Sequence, residues 1–163
     1  MAMKEIDIRE VKENLVHLLA DEWALVTAGR GDELGTMTVS WGGIGELWGK
    51  DMATIYIRPQ RYTKKFLDEN NYFTLSFYPE QYKDALRLCG SKSGREINKV
   101  EATGLTPATT KKPLTLRRPS WCWCAAKWRS APLSRPSSWT PALCRTMRKT
   151  IFTPFIMVRS KRY

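Results

Sequence analysis

The stretch Trp23-Ala-Leu-Val-Thr-Ala-Gly-Arg-Gly-Asp-Glu-Leu-Gly-Thr-Met-Thr-Val-Ser-Trp41 decides how the chain reads. Trp23–Ala28 has the apolar and β-branched character of a strand, closed by Gly29 and the turn-forming Gly31-Asp32. Thr36–Trp41 is a second strand, broken by the glycines at 42, 43 and 45. Working outward, Met52–Arg58 predicts a third strand stopped by Pro59, and Tyr72–Tyr78 a fourth ended by Pro79. Helical spacing is local by comparison. Residues 9–20 place Val11, Leu15, Leu18 and Leu19 on one face. Thr63 is positioned to cap a helix to about Asn70, with Phe66 and Leu67 inward. A helix over 80–88 follows, and a short one through Lys99 and Val100 ends at Gly104. The expected fold class is mainly β with flanking helices, a small barrel rather than a doubly wound sheet.

At 163 residues, with 42% apolar and 11% aromatic content, the chain can bury a single-domain core and is not disordered throughout. No run approaches the roughly 20 apolar residues of a membrane span, and the first ten residues lack a signal-peptide core, so a cytoplasmic protein without a membrane partner is expected. A single histidine, His17, excludes sites built on several histidines; it reads as a structural residue of the first helix. Cys89, alone in the first 110 residues, reads as a buried small apolar residue rather than a nucleophile.

Two strings can cradle an anion. In Arg58-Pro-Gln-Arg61-Tyr62-Thr63, two guanidiniums flank a helix start with a capping hydroxyl, an arrangement that suits a phosphate. In Gly90-Ser91-Lys92-Ser93-Gly94-Arg95, small residues let backbone N–H groups face an anion while Lys92 and Arg95 supply charge; the spacing is not that of a P-loop. The plain alternatives are two solvated arginines beside an N-cap, and a polar turn. Thr36, Thr38 and Ser40 share one face of their strand, opposite Met37, Val39 and Trp41. Those hydroxyls can hydrogen-bond a flat ligand or form the wet face of an edge strand. Trp41 and Trp48 can stack on a ring or pack in the core.

Together, Trp23–Gly29, Thr36–Gly43, Ile57–Thr63 and Cys89–Arg95 resemble, in order, the flavin reductase-like, flavoredoxin-type FMN-binding proteins over about residues 20–108. The resemblance implies an FMN-binding split β-barrel, usually a homodimer with FMN near the subunit interface. It implies that Thr36, Met37, Thr38, Val39, Ser40 and Trp41 face the isoalloxazine ring. Arg58, Arg61, Thr63, Ser91 and Lys92 would then hold the ribityl phosphate, with Tyr62 and Ser93 also counted among the cofactor-binding residues. It further implies an oxidoreductase passing reducing equivalents from NAD(P)H through flavin, or a non-enzymatic FMN electron carrier working with a redox partner protein. The sequence departs from the family at Gly35, where an asparagine is expected, at Asp51, where a proline is usual, and at Glu96-Ile97-Asn98.

The resemblance stops where the composition breaks. Residues 1–110 hold 14 Lys+Arg and all 16 Asp+Glu, whereas residues 111–163 hold 13 Lys+Arg and no acid. If about one residue in eight is acidic, the acid-free run of 62 residues after Glu101 is expected by chance roughly a few times in ten thousand. All ten glycines precede residue 111, while four of seven tryptophans follow it. The division expected is an incomplete FMN-binding domain, 1–110, and an aberrant basic tail, 111–163, translated out of frame. Trp121-Cys-Trp-Cys124 must be TGG-TGY-TGG-TGY; regrouped one base earlier it gives Leu, Val or Met and then a forced Val-Leu-Val, a buried strand. The same regrouping permits Ala-Pro-Tyr-Leu-Glu-Glu from Lys112–Arg118 and Asp-Leu-His-Thr-Ile-Tyr-Tyr-Gly from Ile151–Val158. The competing reading is a polyanion- or nucleic-acid-binding tail, with basic residues interleaved with tryptophans. Charge alone would make such binding unspecific, and no specific nucleic-acid partner is expected. Cys122 and Cys124 lack the further ligands of a metal site.

Overall fold

In the computed structural model, which describes residues 3–30, 33–47, 50–109, 114–116, 121–126, 129–131 and 150–160, the opening stretch forms an antiparallel hairpin. Its strands are β2 (Ala24–Arg30) and β3 (Glu33–Val39). Both are longer than the sequence predicts. Gly29 continues β2 instead of closing it, at φ +133°, because a Cβ there would stand 2.2 Å from the Glu33 carbonyl oxygen. β3 likewise starts at Glu33 rather than Thr36, and ends before Ser40 and Trp41. Gly31-Asp32 and Trp48 lie outside the described residues.

The glycines read as breakers are part of a strand, β4 (Gly42–Leu47), paired with β5 (Lys50–Tyr56). Close approach requires glycine at one of them, since a Cβ on Gly42 would meet the Thr54 carbonyl oxygen at 2.2 Å, while Gly43 and Gly45 have no atom that near. With β6 (Tyr72–Phe77), β9 (Trp121–Ala126) and β11 (Thr150–Ser160), these strands order as β3-β2-β6-β9-β11-β5-β4. β1 (Met3–Ile6) and β10 (Arg129–Ala131) pair with β11 off that path. β11 joins two half-sheets: Thr150–Pro154 pair with β5, and Phe155–Arg159 with β9. The two ends of the path, β3 and β4, are consecutive in the chain, and the Tyr56 N–H donates to the Trp41 carbonyl at 3.1 Å beside their junction. The sheet therefore curls back towards its own beginning. A separate hairpin pairs β7 (Pro107–Thr109) with β8 (Leu114–Leu116).

β2 is buried on both faces. Ala24, Val26 and Ala28 join a core with Met37, Val39, Ile55, Phe73, Leu75 and Phe77, whereas Leu25 joins Tyr78, Leu86, Cys89 and Leu105. Cys89 is fully buried, as its reading predicts, and desolvation raises its thiol to about 11 against the opposing pull of Lys99. Burial and the raised pKa both disfavour the thiolate, the nucleophilic form. Trp41, by contrast, is half exposed rather than in the core.

The single helix expected over 9–20 is broken. Asn14 accepts from the Val16 and His17 N–H groups at 3.0 and 3.2 Å and starts a new helix, α1 (Leu15–His17), which widens into a π-turn over Leu18–Glu22. Val11 sits outside it in extended backbone. The turn ends on Trp23 at φ 64°, a strained conformation for a bulky residue. Two contacts hold it there: the indole N–H donates to the Ala20 carbonyl at 3.0 Å, and Lys83 Nζ lies 4.1 Å from the ring centroid. His17 is a surface residue paired with Asp21 at 2.8 Å. The unusual Asp51 likewise pairs with Arg9, at 3.0 Å, tying the N-terminal segment to β5.

Helix α2 (Thr63–Glu69) packs on the β2–β3 hairpin. Gly35 is explained here: a Cβ would come within 2.4 Å of Phe66 Cδ2 and 2.9 Å of Cγ. Those atoms lie at the base of a buried ring. An asparagine at 35, the residue the family resemblance leads one to expect, does not fit this packing. Gly35→Asn is expected to destabilise the protein by about 1–3 kcal/mol, the usual range for overpacking. A urea midpoint unchanged from the parent chain would refute that. α3 (Lys83–Ser91) follows a 3₁₀ turn at Glu80–Tyr82, and α4 (Lys99–Thr103) ends at Gly104, which is left-handed at φ 66° as its C-cap role requires.

Candidate functional site

The two anion cradles read from sequence lie around one cavity. The turn from β5 into α2 supplies Arg58, Gln60, Arg61, Tyr62 and Thr63; α3 supplies its last residue, Ser91, and the loop after it Lys92, Ser93, Gly94, Arg95 and Glu96. Met37 of β3 and Lys99 of α4 complete a space of about 290 Å³. Five of these side chains are cationic, Arg58, Arg61, Lys92, Arg95 and Lys99, and only Glu96 is a carboxylate. Such an excess of fixed positive charge in a concave site attracts an anion.

Local contacts set the positions. Arg61 reaches across the cavity to donate from Nη1 to the Gly90 carbonyl at 3.0 Å. Desolvation lowers the pKa of its guanidinium, and the neighbouring charge of Arg58 lowers it further. Arg95 lies 5.0 Å from the Tyr62 ring centroid and donates to the Gln60 carbonyl at 3.5 Å. Gly94 permits that approach, since a Cβ there would stand 2.9 Å from Tyr62 Cδ1. Tyr62 in turn meets Phe66 edge-on at 5.3 Å. The pocket wall is therefore braced from Gly94 through Tyr62 and Phe66 to Gly35.

Several details differ from the sequence reading. Thr63 does not cap α2; Tyr62 is the N-cap, with no side-chain cap bond, and Thr63 is buried in the first turn. The helix start is also less open than expected, because Lys64 and Lys65 N–H groups donate to the Arg61 and Tyr62 carbonyls at 3.0 and 3.2 Å. Ser91 Oγ donates to the Arg87 carbonyl at 2.9 Å, and Ser93 Oγ accepts from the Arg95 N–H at 3.2 Å. The threonines of β3 are not a wet face. Thr36 is buried and bonds Thr27 at 3.0 Å, and Thr38 donates to the Leu86 carbonyl at 2.5 Å. Of the thirteen residues singled out, Met37, Arg58, Arg61, Tyr62, Thr63, Ser91, Lys92 and Ser93 line the cavity. Thr36, Thr38, Val39, Ser40 and Trp41 do not. Sequence reasoning missed Lys99, which appeared only as part of a short helix, and Glu96, noted only as a departure.

The residues present fit a phosphate-bearing cofactor. The Thr63 hydroxyl, on a residue only 3% exposed, lines the cavity without a hydrogen bond to any other described residue. A buried hydroxyl left so is unfavourable until a ligand answers it. The side chains of Arg58 and Lys92 likewise make no hydrogen bond or ion pair with another described residue. Among the described residues there is no group of three or more His, Cys, Asp or Glu that could hold a metal, and no helix long and apolar enough to cross a membrane.

Comparison with known proteins follows the same line. The fold is similar to the FMN-binding domain of a flavin reductases-like enzyme from Shewanella baltica, with TM-score 0.71, 12% identity, and coverage of 97% of this chain and 77% of that one. Flavoredoxin of Desulfovibrio vulgaris gives 0.69 at 18% identity, covering 93% and 78%. Nitrilotriacetate monooxygenase component B from Bacillus cereus gives 0.68 at 15% identity, covering 99% and 83%. No curated protein sequence matches this chain. The architecture is thus the split barrel with flanking helices that these flavin reductase-like proteins share. Residues 16–130, from α1 through β9, match the Flavin reductase like domain, and the chain belongs to that family.

Proposed function

We propose that this chain is an FMN-binding oxidoreductase in which reducing equivalents pass from NAD(P)H through the flavin. The observation that carries this reading is the cavity itself, lined by five cations and by the buried Thr63, whose hydroxyl has no hydrogen-bond partner among the described residues. Arg58, Arg61, Thr63, Ser91 and Lys92 would hold the phosphate, with Tyr62 and Ser93 supporting that wall and Met37 at the edge facing β3. When bound, FMN supplies the hydride-accepting ring, so the chain itself needs no general acid or base. The protein's task is to bind the flavin, orient it and keep its phosphate desolvated against fixed charge. The same reading makes the protein a cytoplasmic homodimer; the half-exposed Trp41 next to β3 is the kind of surface an interface covers.

Flavin-fluorescence titration tests the binding step, with FMN expected to be held at micromolar levels or better. A second reading, a non-enzymatic electron carrier, is favoured by the likeness to flavoredoxin. Anaerobic mixing with NADH or NADPH separates the two. Rapid bleaching of bound flavin marks a reductase; an unbleached flavin leaves the carrier.

The proposal includes the tail. Residues from about 111 onward are a product of the wrong reading frame attached to an FMN-binding domain of residues 1–110. The backbone supports this. Pro154 falls opposite Met52 within β11, where proline has no N–H to donate to the ladder, and the regrouped frame replaces it. A native transcript with no insertion or deletion near codons 110–112 relative to its close relatives would count decisively against the frame error.

A further inference from the structure

Thr38 of β3 does not line the cavity, yet it is tied to the helix that builds one of its walls. Its hydroxyl donates to the Leu86 carbonyl of α3 at 2.5 Å, across 48 positions of sequence. In a helix of this span the same carbonyl takes the Gly90 N–H. Gly90 also lies against the threonine, since a Cβ on it would stand 3.4 Å from Thr38 Cβ. The Gly90 carbonyl in turn accepts from Arg61 Nη1 at 3.0 Å. A chain of contacts thus runs from the Thr38 hydroxyl through α3 to the guanidinium of the opposite wall.

Apolar burial of Leu86 and Cys89 sets how deep α3 sits, but it is non-directional and does not fix where the helix lies along β3. Two polar links do. Lys99 Nζ donates to the Thr36 carbonyl at 3.0 Å and to the Cys89 carbonyl at 2.7 Å, while Thr38 holds Leu86. Links at positions 36 and 38 of the strand and 89 and 86 of the helix set both the direction and the height of α3. Lysine is long and flexible, whereas threonine is β-branched, stiff at χ1 and here set on a strand paired with β2. Thr38 is the short, rigid link. We propose that Thr38 is a positioning residue of the phosphate wall, its hydroxyl holding α3 where the Gly90 carbonyl meets Arg61. The inference rests on the FMN reading and places Thr38 behind the cavity instead of against the flavin ring.

The test titrates FMN and riboflavin, which differ by the phosphate, against the full 163-residue chain and its variants by fluorescence. Thr38→Val keeps the branched shape and removes the hydroxyl. It is expected to weaken FMN binding about fivefold to tenfold, the size of one lost hydrogen bond, while riboflavin binding changes less than about threefold. Thr38→Ser, which keeps the hydroxyl, is expected to stay within about threefold of the parent for both flavins. Equal weakening of both flavins by valine, an unchanged preference for FMN, or a serine chain as impaired as the valine chain overturns the proposal. A parent chain that binds neither flavin overturns the FMN reading itself, a distinct result.

Coupling to Arg61 is the readout that a merely structural role would not move. If Thr38 acts through the Gly90 carbonyl, Thr38→Val in an Arg61→Ala chain has nothing left to misplace, and its effect on FMN affinity is expected to shrink below about twofold. Additive losses overturn the proposal. Should the valine chain not fold, Thr38→Cys replaces it in both comparisons. Its thiol is a weak donor, and the preference for FMN is expected to fall at least about threefold. A cysteine chain with the parent's preference overturns the proposal.

Discussion

Restoring the reading frame from about codon 111 is expected to raise the urea midpoint of this protein more than any single substitution could. The argument runs through the centre of the sheet. β9 lies between β6 and β11, and its register places Trp121 opposite Phe77, Trp123 opposite Leu75 and Ala125 opposite Phe73. Those three β6 residues are at most 1% exposed, and the alternate residues Thr74 and Ser76 are equally buried, so β6 is enclosed on both faces. A strand in that position has to match side chains that are already packed. The restored Val-Leu-Val at this point is a β-branched and aliphatic run of the size a central strand takes. Two tryptophans and two cysteines in alternation depart from such a run, and overpacking a core by a large side chain typically costs about 1–3 kcal/mol. Replacing Pro154, which pairs with Met52 within β11, also gives that position a backbone N–H. Together these effects amount to several kcal/mol, a large share of the roughly 5–15 kcal/mol that holds a domain folded. The measurement is paired urea melts of the 163-residue chain and its restored counterpart. Coincident midpoints would remove the frame argument's physical consequence.

The second large effect is expected at Arg61. Its guanidinium joins the two sides of the cavity through the Gly90 carbonyl, and desolvation together with Arg58 disfavours its charge while the site is without an anion. An incoming phosphate relieves both penalties, which is why the charge sits there. Arg61→Ala removes a charge-assisted hydrogen bond and leaves the Gly90 carbonyl without its donor. A loss of about tenfold to a hundredfold in FMN affinity is expected, on the order of the 1.5–3 kcal/mol typical of hydrogen bonds to charged groups. Arg61→Lys should recover only part of it, since an ammonium cannot present the two-pronged face of a guanidinium. Fluorescence titration of FMN against the parent and both variants checks this. An alanine variant that binds FMN as tightly as the parent would show that the cavity is not where the phosphate sits.

Arg61 and Lys99 also show why part of the site was legible and part was not. Arg58, Arg61 and Thr63 stand within six positions of one another, and Ser91–Arg95 is a contiguous run of small and basic residues. Their chemistry is local and can be read directly. That both strings face one cavity is a matter of how α2 and α3 pack beside β3, which no local pattern encodes. Lys99 depends on that packing entirely, because its two acceptors lie 10 and 63 positions away. Thr36 and Thr38 mislead for the same reason. Alternation alone makes their face look open, but α3 covers it and takes up the Thr38 hydroxyl at the Leu86 carbonyl.

By itself, the sequence determined the family, the principal strands of the first 110 residues, the turn chemistry at Gly104, the two basic strings and the point where composition fails. All of these rest on period, residue type or local spacing. Tertiary structure alone decided that Gly29 and Gly42 lie inside strands, that Gly35 makes room for Phe66, and that a buried lysine bonded to two distant carbonyls lines the cavity. Each is a contact between residues distant in the chain, and a glycine or lysine carries no local mark of the neighbour it will meet.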